Sequence, residues 1–196
     1  MPDAPHASSY TVVVAAQLPA ALAESMARLD QQSVDELGLT DATLREFGDR
    51  FCSEADISGY VVAVHDDAVI GMVLVYRRAL PRAGQPVVLG GIGSVYVAPA
   101  QRGRGIARRL VQTAMSELAR AGCDIAFLCA DLQNPQLLRL YGGVGFVALG
   151  RPYTYAGASG ARYSGEDGML APVCSPAIFA ELLHQAEPLE IGRGNW

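Results

Sequence analysis

The chain has 196 residues, 51% of them hydrophobic and 18% charged, with a net charge of −5 at neutral pH. That apolar content excludes a disordered chain and suits one globular domain over residues 1–196, and the acidic balance disfavours a nucleic-acid binder while admitting a cationic partner. All 15 basic residues are arginine, so chemistry through a lysine nucleophile or Schiff base is excluded.

Cys52, Cys123, Cys129 and Cys174, with His6, His65 and His184, show no metal-ligand spacing, so no metal is expected. The N-terminus has no basic segment leading into an apolar run, and no stretch nears ~18 uninterrupted apolar residues. Neither a secretory leader nor a membrane span is expected, and a cytoplasmic location is.

In chain order, Tyr10 to Ala16 reads as a strand and Pro19 to Asp30 as an amphipathic helix with Leu22, Met26 and Leu29 on one face. A second helix starts at Thr40 or Asp41, with Thr40 as cap, and runs to about Phe51. Tyr60–Val64 and Val69–Tyr76 form a hairpin about His65-Asp66-Asp67. Residues Arg77 to Gln85 read as a polar loop with Pro81 and Gly84, and Val87 to Val97 as a long strand. A glycine turn feeds a helix from about Gly105 to Ala121, closed by Gly122. Ile125 to Cys129 follows as a buried strand parallel to the previous one. Pro135 to Tyr141 is a short helix and Phe146 to Leu149 a strand. Beyond Arg151 the chain is rich in Gly, Ser and Tyr until a strand near Met169. A helix from Pro176 to Gln185 precedes the tail Gly194-Asn195-Trp196. The fold class is mixed α/β.

The turn Arg102-Gly103-Arg104-Gly105-Ile106-Ala107 carries the most chemistry. Two glycines let a ligand approach the backbone, and the helix start offers N–H groups and a positive dipole end, with arginines beside it. This is a cradle for a diphosphate. It departs from both the dinucleotide fingerprint and the P-loop.

Val-x-Pro, Gln101 to Ala107, a helix, a strand, and Leu140-Tyr141-Gly142-Gly143-Val144-Gly145-Phe146 together resemble the GCN5-related N-acetyltransferase (GNAT) superfamily, over about residues 87–149. The resemblance implies a mixed central sheet flanked by helices, with a V-shaped splay between two parallel cofactor strands. It implies acetyl-CoA as acyl donor, no metal, and direct attack of an amine on the thioester. Residue by residue, Val95, Tyr96 and Val97 match the strand that pairs with the pantetheine arm, with a backbone N–H near Tyr96 or Val97 as oxyanion donor. Arg102, Gly103, Arg104, Gly105, Ile106 and Ala107 match the pyrophosphate loop. Tyr141 matches the general acid. No carboxylate announces itself as the base.

For the acceptor, Tyr76-Arg77-Arg78-Ala79-Leu80, Gly93-Ser94, Gly165-Glu166-Asp167-Gly168 and the final Trp are similar to aminoglycoside 2'-N-acetyltransferases. This implies a small cationic amine, held by Asp35, Gly93, Ser94, Glu166, Asp167 and Trp196, and a resistance function. A terminal carboxylate at Trp196 would then be acceptor and base relay, and residues 151–196 the substrate side. Cys129 to Asp131 stand where that family has serines, a departure that points to an aminocyclitol of the kasugamycin kind. The alternatives are an acetyltransferase for a protein N-terminus or another small amine, one for longer acyl chains, and a non-catalytic acyl-CoA-binding module. A homodimer is also implied, with no nucleic acid and no membrane as partners.

Overall fold

The computed structural model describes residues 9–82 and 86–196. The expectations for the extreme N-terminus and His6, and for residues 83–85 of the expected loop, lie outside the described residues.

The first strand, β1 (Thr11–Ala15), is followed by α1 (Ala20–Glu36), which ends six residues later than expected. Its polar turns after Asp30 contain no glycine or proline, and the helix stops only before Gly38 at φ +65°. The next helix, α2 (Asp41–Phe47), is capped by Thr40 Oγ1, which accepts the Thr43 N–H at 3.2 Å as the sequence suggested. It ends at Gly48, short of Phe51, because Asp49 turns aside to accept hydrogen bonds from Tyr163 Oη (2.7 Å) and the Ser159 N–H (2.6 Å).

The hairpin of β2 (Ile57–His65) and β3 (Ala68–Leu80) turns on Asp66 and Asp67, whose φ of +47° and +59° match the right-handed twist of the strands. Residues 77–80 are a correction to the sequence reading. They form no loop but continue β3, pairing with Val87 to Gly90 of β4 (Val87–Val97). Then come α3 (Ile106–Arg120), β5 (Ile125–Cys129), α4 (Pro135–Gly142) and β6 (Val147–Ala148). The Gly- and Tyr-rich stretch holds β7 (Tyr153–Ala156) and β8 (Arg162–Gly165), before β9 (Gly168–Pro172), α5 (Pro176–His184) and β10 (Leu189–Arg193).

Seven strands make the main sheet in the order β1-β2-β3-β4-β5-β9-β6, with β4 and β5 its parallel pair. A second sheet has the order β10-β7-β8. Alternation along β2 and β3 sends Val61, Ala63, Val73 and Val75 to one face and Val62 and Met72 to the other. The first face meets Ile106, Leu110, Val111, Ala114 and Leu118 of α3; the second meets Leu29 of α1. Gly90 lets α3 close on β4, since a Cβ there would stand 2.6 Å from the Leu118 side chain.

This packing fixes one opening. Pairing of β4 with β5 covers Leu89↔Ile125, Gly90↔Ala126 and Gly91↔Phe127, and then stops. Beyond it the strands splay, and β4 bulges against β3 where Ser94 adopts φ +49°.

Candidate active site

The glycine turn before α3 has open backbone geometry. Gly103 and Gly105 hold φ of +77° and +75°, and Gly105 caps α3 with no side chain, so the first N–H groups of α3 face outward. A Cβ on either glycine would meet nothing within 4 Å, which is open space over the loop. The cleft there holds about 180 Å³ between Val97, Gln101 to Gly103, Gly105 to Arg108, and Leu140. Arg108 leans across it to donate to the Gly143 carbonyl (3.2 Å), and Arg104 is drawn to the Gln101 side chain. Bare N–H groups, a glycine turn and nearby guanidinium groups fit a diphosphate, and the unpaired edge of β4 beyond Gly91 fits an amide-bearing arm.

Arg102 and Tyr96 are committed otherwise. The Arg102 guanidinium grips Glu36 of α1 in a bidentate pair, both contacts at 2.7 Å, and its Nε donates to the Val97 carbonyl (3.0 Å). Tyr96 Oη donates to the same carboxylate at 2.6 Å. These partners hold the Glu36 carboxyl down to about 2, so the clamp stays charged across the working pH range. Arg102 therefore shapes the loop, and its charge is already balanced.

Tyr141, in the last turn of α4, packs edge-on against Phe146 within the cluster of Val97, Ile106 and Ala130. Burial pushes its phenol up to about 12. Among the described residues its Oη has no hydrogen-bond partner, and it is not a buried orphan, so the hydroxyl reaches solvent.

On the other side of the splay lies a cleft of about 320 Å³. Met26 and Asp30 of α1, Phe51, Glu54, Tyr76, Ser94 and Trp196 are among its walls, which carry two side-chain carboxylates and no arginine. Trp196 is the floor. Its indole stacks on Tyr76 (centroids 5.3 Å apart), lies 4.5 Å from the Arg78 guanidinium, and donates Nε1–H to the Phe127 carbonyl at 3.2 Å, just where strand pairing ends. Gly91 and Gly93 make the room, because a Cβ at either would stand 2.5 or 3.0 Å from Trp196.

Arg78 clamps the tail, donating to the carbonyls of Ile191 (2.7 Å) and Gly194 (3.1 Å). Replacing Arg78 by Met is expected to cost about 2–3 kcal/mol in urea unfolding, the scale of charged hydrogen bonds lost to buried acceptors. The emission of Trp196, the one tryptophan of the chain, should shift with it.

Of the residues expected at the acceptor, Gly93, Ser94 and Trp196 come together. Asp167 stands behind them, accepting from Tyr153 Oη at 2.9 Å. Glu166 lines a separate small cleft with Gly150, Arg151 and Pro152, and Asp35 is exposed on α1, accepting from Gln31. Asp131 caps its own turn through the Gln133 N–H. Sequence reasoning missed Asp30. Desolvation by the cleft walls pushes its carboxyl pKa up, and it has no partner among the described residues. The available signal was its place one turn beyond Met26, at the rim of the cleft.

A glycine turn at a helix start, beside two splayed parallel strands, defines an α/β fold suited to a phosphate-bearing cofactor. A sequence model of the acetyltransferase (GNAT) family matches residues 24–146, more than half of the chain, and the chain belongs to that family. A mycothiol acetyltransferase of Frankia casuarinae is 32% identical over 104 residues, 51% of this chain and 30% of that protein. N-alpha-acetyltransferase 30 of Saccharomyces cerevisiae is 38% identical over 66 residues, 34% of this chain and 38% of that one. The chain thus spans about a third of the length of these curated relatives. Among solved structures, the Escherichia coli N-acetyltransferase YhbS in complex with CoA superposes with a TM-score of 0.58 at 17% identity, covering 94% of this chain and 90% of that one. Arabidopsis thaliana NAA60 with a bisubstrate analogue gives 0.56 at 20%, covering 83% and 99%. At such identities the likeness shows the fold: a mixed sheet flanked by helices, as the sequence implied. Among the described residues no cluster of metal-ligating side chains occurs, and no helix is long and apolar enough to cross a membrane.

Proposed function

We propose that the protein transfers an acetyl group from acetyl-CoA to a primary amine. The observation that carries this reading is the splay itself, with a diphosphate cradle on one side and an acidic, aromatic cleft on the other. Acetyl-CoA supplies an activated acyl thioester. The N–H groups at the start of α3 hold its diphosphate, with Arg104 and Arg108 beside them, and β4 from Ser94 to Val97 lines its arm. Tyr141 presents a neutral phenol to the sulfur, and a backbone N–H near Tyr96 or Val97 faces the acyl oxygen.

The acceptor that fits best carries one ammonium beside an apolar group, such as a peptide α-amine or an arylalkylamine. Two side-chain carboxylates stand among Met26, Phe51, Tyr76 and Trp196, and that mixture suits a hydrophobic monoamine. The likeness to an N-alpha-acetyltransferase supports the same reading. An aminoglycoside acceptor is the second reading, favoured by Trp196 against Gly93 and Ser94; it draws less support because Glu166 lines another cleft. Thiol release from acetyl-CoA should be measured with short peptides, phenylethylamine, kanamycin and kasugamycin. The reading expects turnover with at least one of the first two. Turnover with the aminoglycosides alone would reverse the order, and none with any amine would overturn the enzyme.

Asp30→Asn separates binding from stability. The raised pKa of Asp30 means the folded state favours its protonated form, so its charge opposes folding above that pKa. The variant should therefore match or exceed the wild type in thermal stability at pH 7, while the KM for the amine rises about tenfold for loss of a charged hydrogen bond.

A further inference from the structure

We infer that Tyr153 is a positioning residue for the acceptor side, holding Asn195 and Trp196 at the cleft floor; this rests on the acetyltransfer reading above. Tyr153 is 2% exposed and its Oη joins side chains from distant parts of the chain. It donates to Asp167 Oδ1 (2.9 Å) and accepts from Asn195 Nδ2 (3.2 Å). The Cys129 thiol stands 3.1 Å from the same oxygen and 3.3 Å from Asn195 Oδ1, placed to give its single hydrogen to either. The hydroxyl thus uses its donor and its lone pairs, and a phenylalanine there would strand several buried polar groups at once.

A second route runs through the ring. Phe127 meets Tyr153 edge-on at 5.1 Å and Trp196 edge-on at 5.9 Å, while its carbonyl takes the indole N–H. Desolvation pushes the Cys129 thiol up to about 12 and the Tyr153 phenol higher still, so both remain neutral hydrogen-bond donors. None of the four polar residues lines the diphosphate cradle, whereas Asn195 and Trp196 both line the acceptor cleft. The set therefore acts on one substrate and not the other.

Tyr153→Phe tests this, with Asn195→Ala as a second variant that cuts the same link should the first fail to fold. The wild type and each variant are compared by acrylamide quenching of Trp196 and by steady-state kinetics with the best amine of the panel. The expected result is stronger quenching, an amine KM raised about tenfold, and an acetyl-CoA KM within about twofold. Unchanged quenching in a folded variant overturns the proposal, whatever the turnover. So does a KM for acetyl-CoA that rises together with that of the amine. Stronger quenching in a protein whose wild type acetylates no amine would overturn the enzymatic reading and leave the tail's support by Tyr153 standing.

Discussion

Replacing Tyr141 by Phe is expected to lower kcat by about 10²–10³-fold and to leave the Kd for acetyl-CoA within about threefold. The ring packs against Phe146 and carries the burial, so its loss of one oxygen leaves the cluster around Val97 and Ile106 filled. What disappears is an O–H with no other partner among the described residues. Burial pushes this phenol up to about 12, and an acid acts only while protonated. Raising its pKa therefore extends its active range upward, and the pH profile of kcat should show no descending limb from Tyr141 below about pH 11. A free thiol ionises near ~8.5, so complete proton transfer to it from this phenol would run uphill by about 5 kcal/mol. On the proposed reading, Tyr141 would then contribute a hydrogen bond to sulfur as it departs. Steady-state thiol release and calorimetric titration with CoA check both halves; equal loss of kcat and of CoA affinity would assign the ring to packing alone.

Gly105→Ala is expected to weaken acetyl-CoA binding by about 10- to 100-fold, with kcat at saturation much less affected. At φ +75° an alanine pays about 1–2 kcal/mol of backbone strain, which the loop can shed only by leaving its present shape. Nothing lies within 4 Å of that methyl, so the protein itself would not clash with it. On the proposed reading the clash would fall on the diphosphate. A fall of a few degrees in Tm should accompany the loss, and the amine KM should hardly move. If Ala binds acetyl-CoA as tightly as Gly, the α3 N-terminus does not carry the diphosphate.

The glycine turn and the strands around it were legible in the sequence because their signals are local. Val87 to Val97 and Ile125 to Cys129 stand as strands with the predicted bounds, and two glycines precede the start of α3. The acceptor half was less so, because distant contacts decide it. Arg77 and Arg78 read as polar loop residues, yet Arg78 finds Ile191, Gly194 and Trp196 more than a hundred positions away, and those partners keep β3 in register to Leu80. In β7, Tyr153 and Tyr155 alternate inward, a period-2 signal hidden by glycine- and serine-rich neighbours. Along α1 the sequence pointed to Asp35, whereas the neighbouring Glu36 reaches the loop. One residue is ~100° of helix, and only packing tells which side faces in.

The same helix has a mechanical consequence. At 1.5 Å per residue, Asp30 and Glu36 lie about 9 Å apart along one rigid rod. Asp30 borders the aromatic cleft and Glu36 is bolted through Arg102 to the glycine loop. If a ligand in the loop moved Arg102, the Glu36 pair would pass that shift to α1 and so to the opposite cleft. Each substrate should therefore change the affinity of the protein for the other, and by the same factor in both directions.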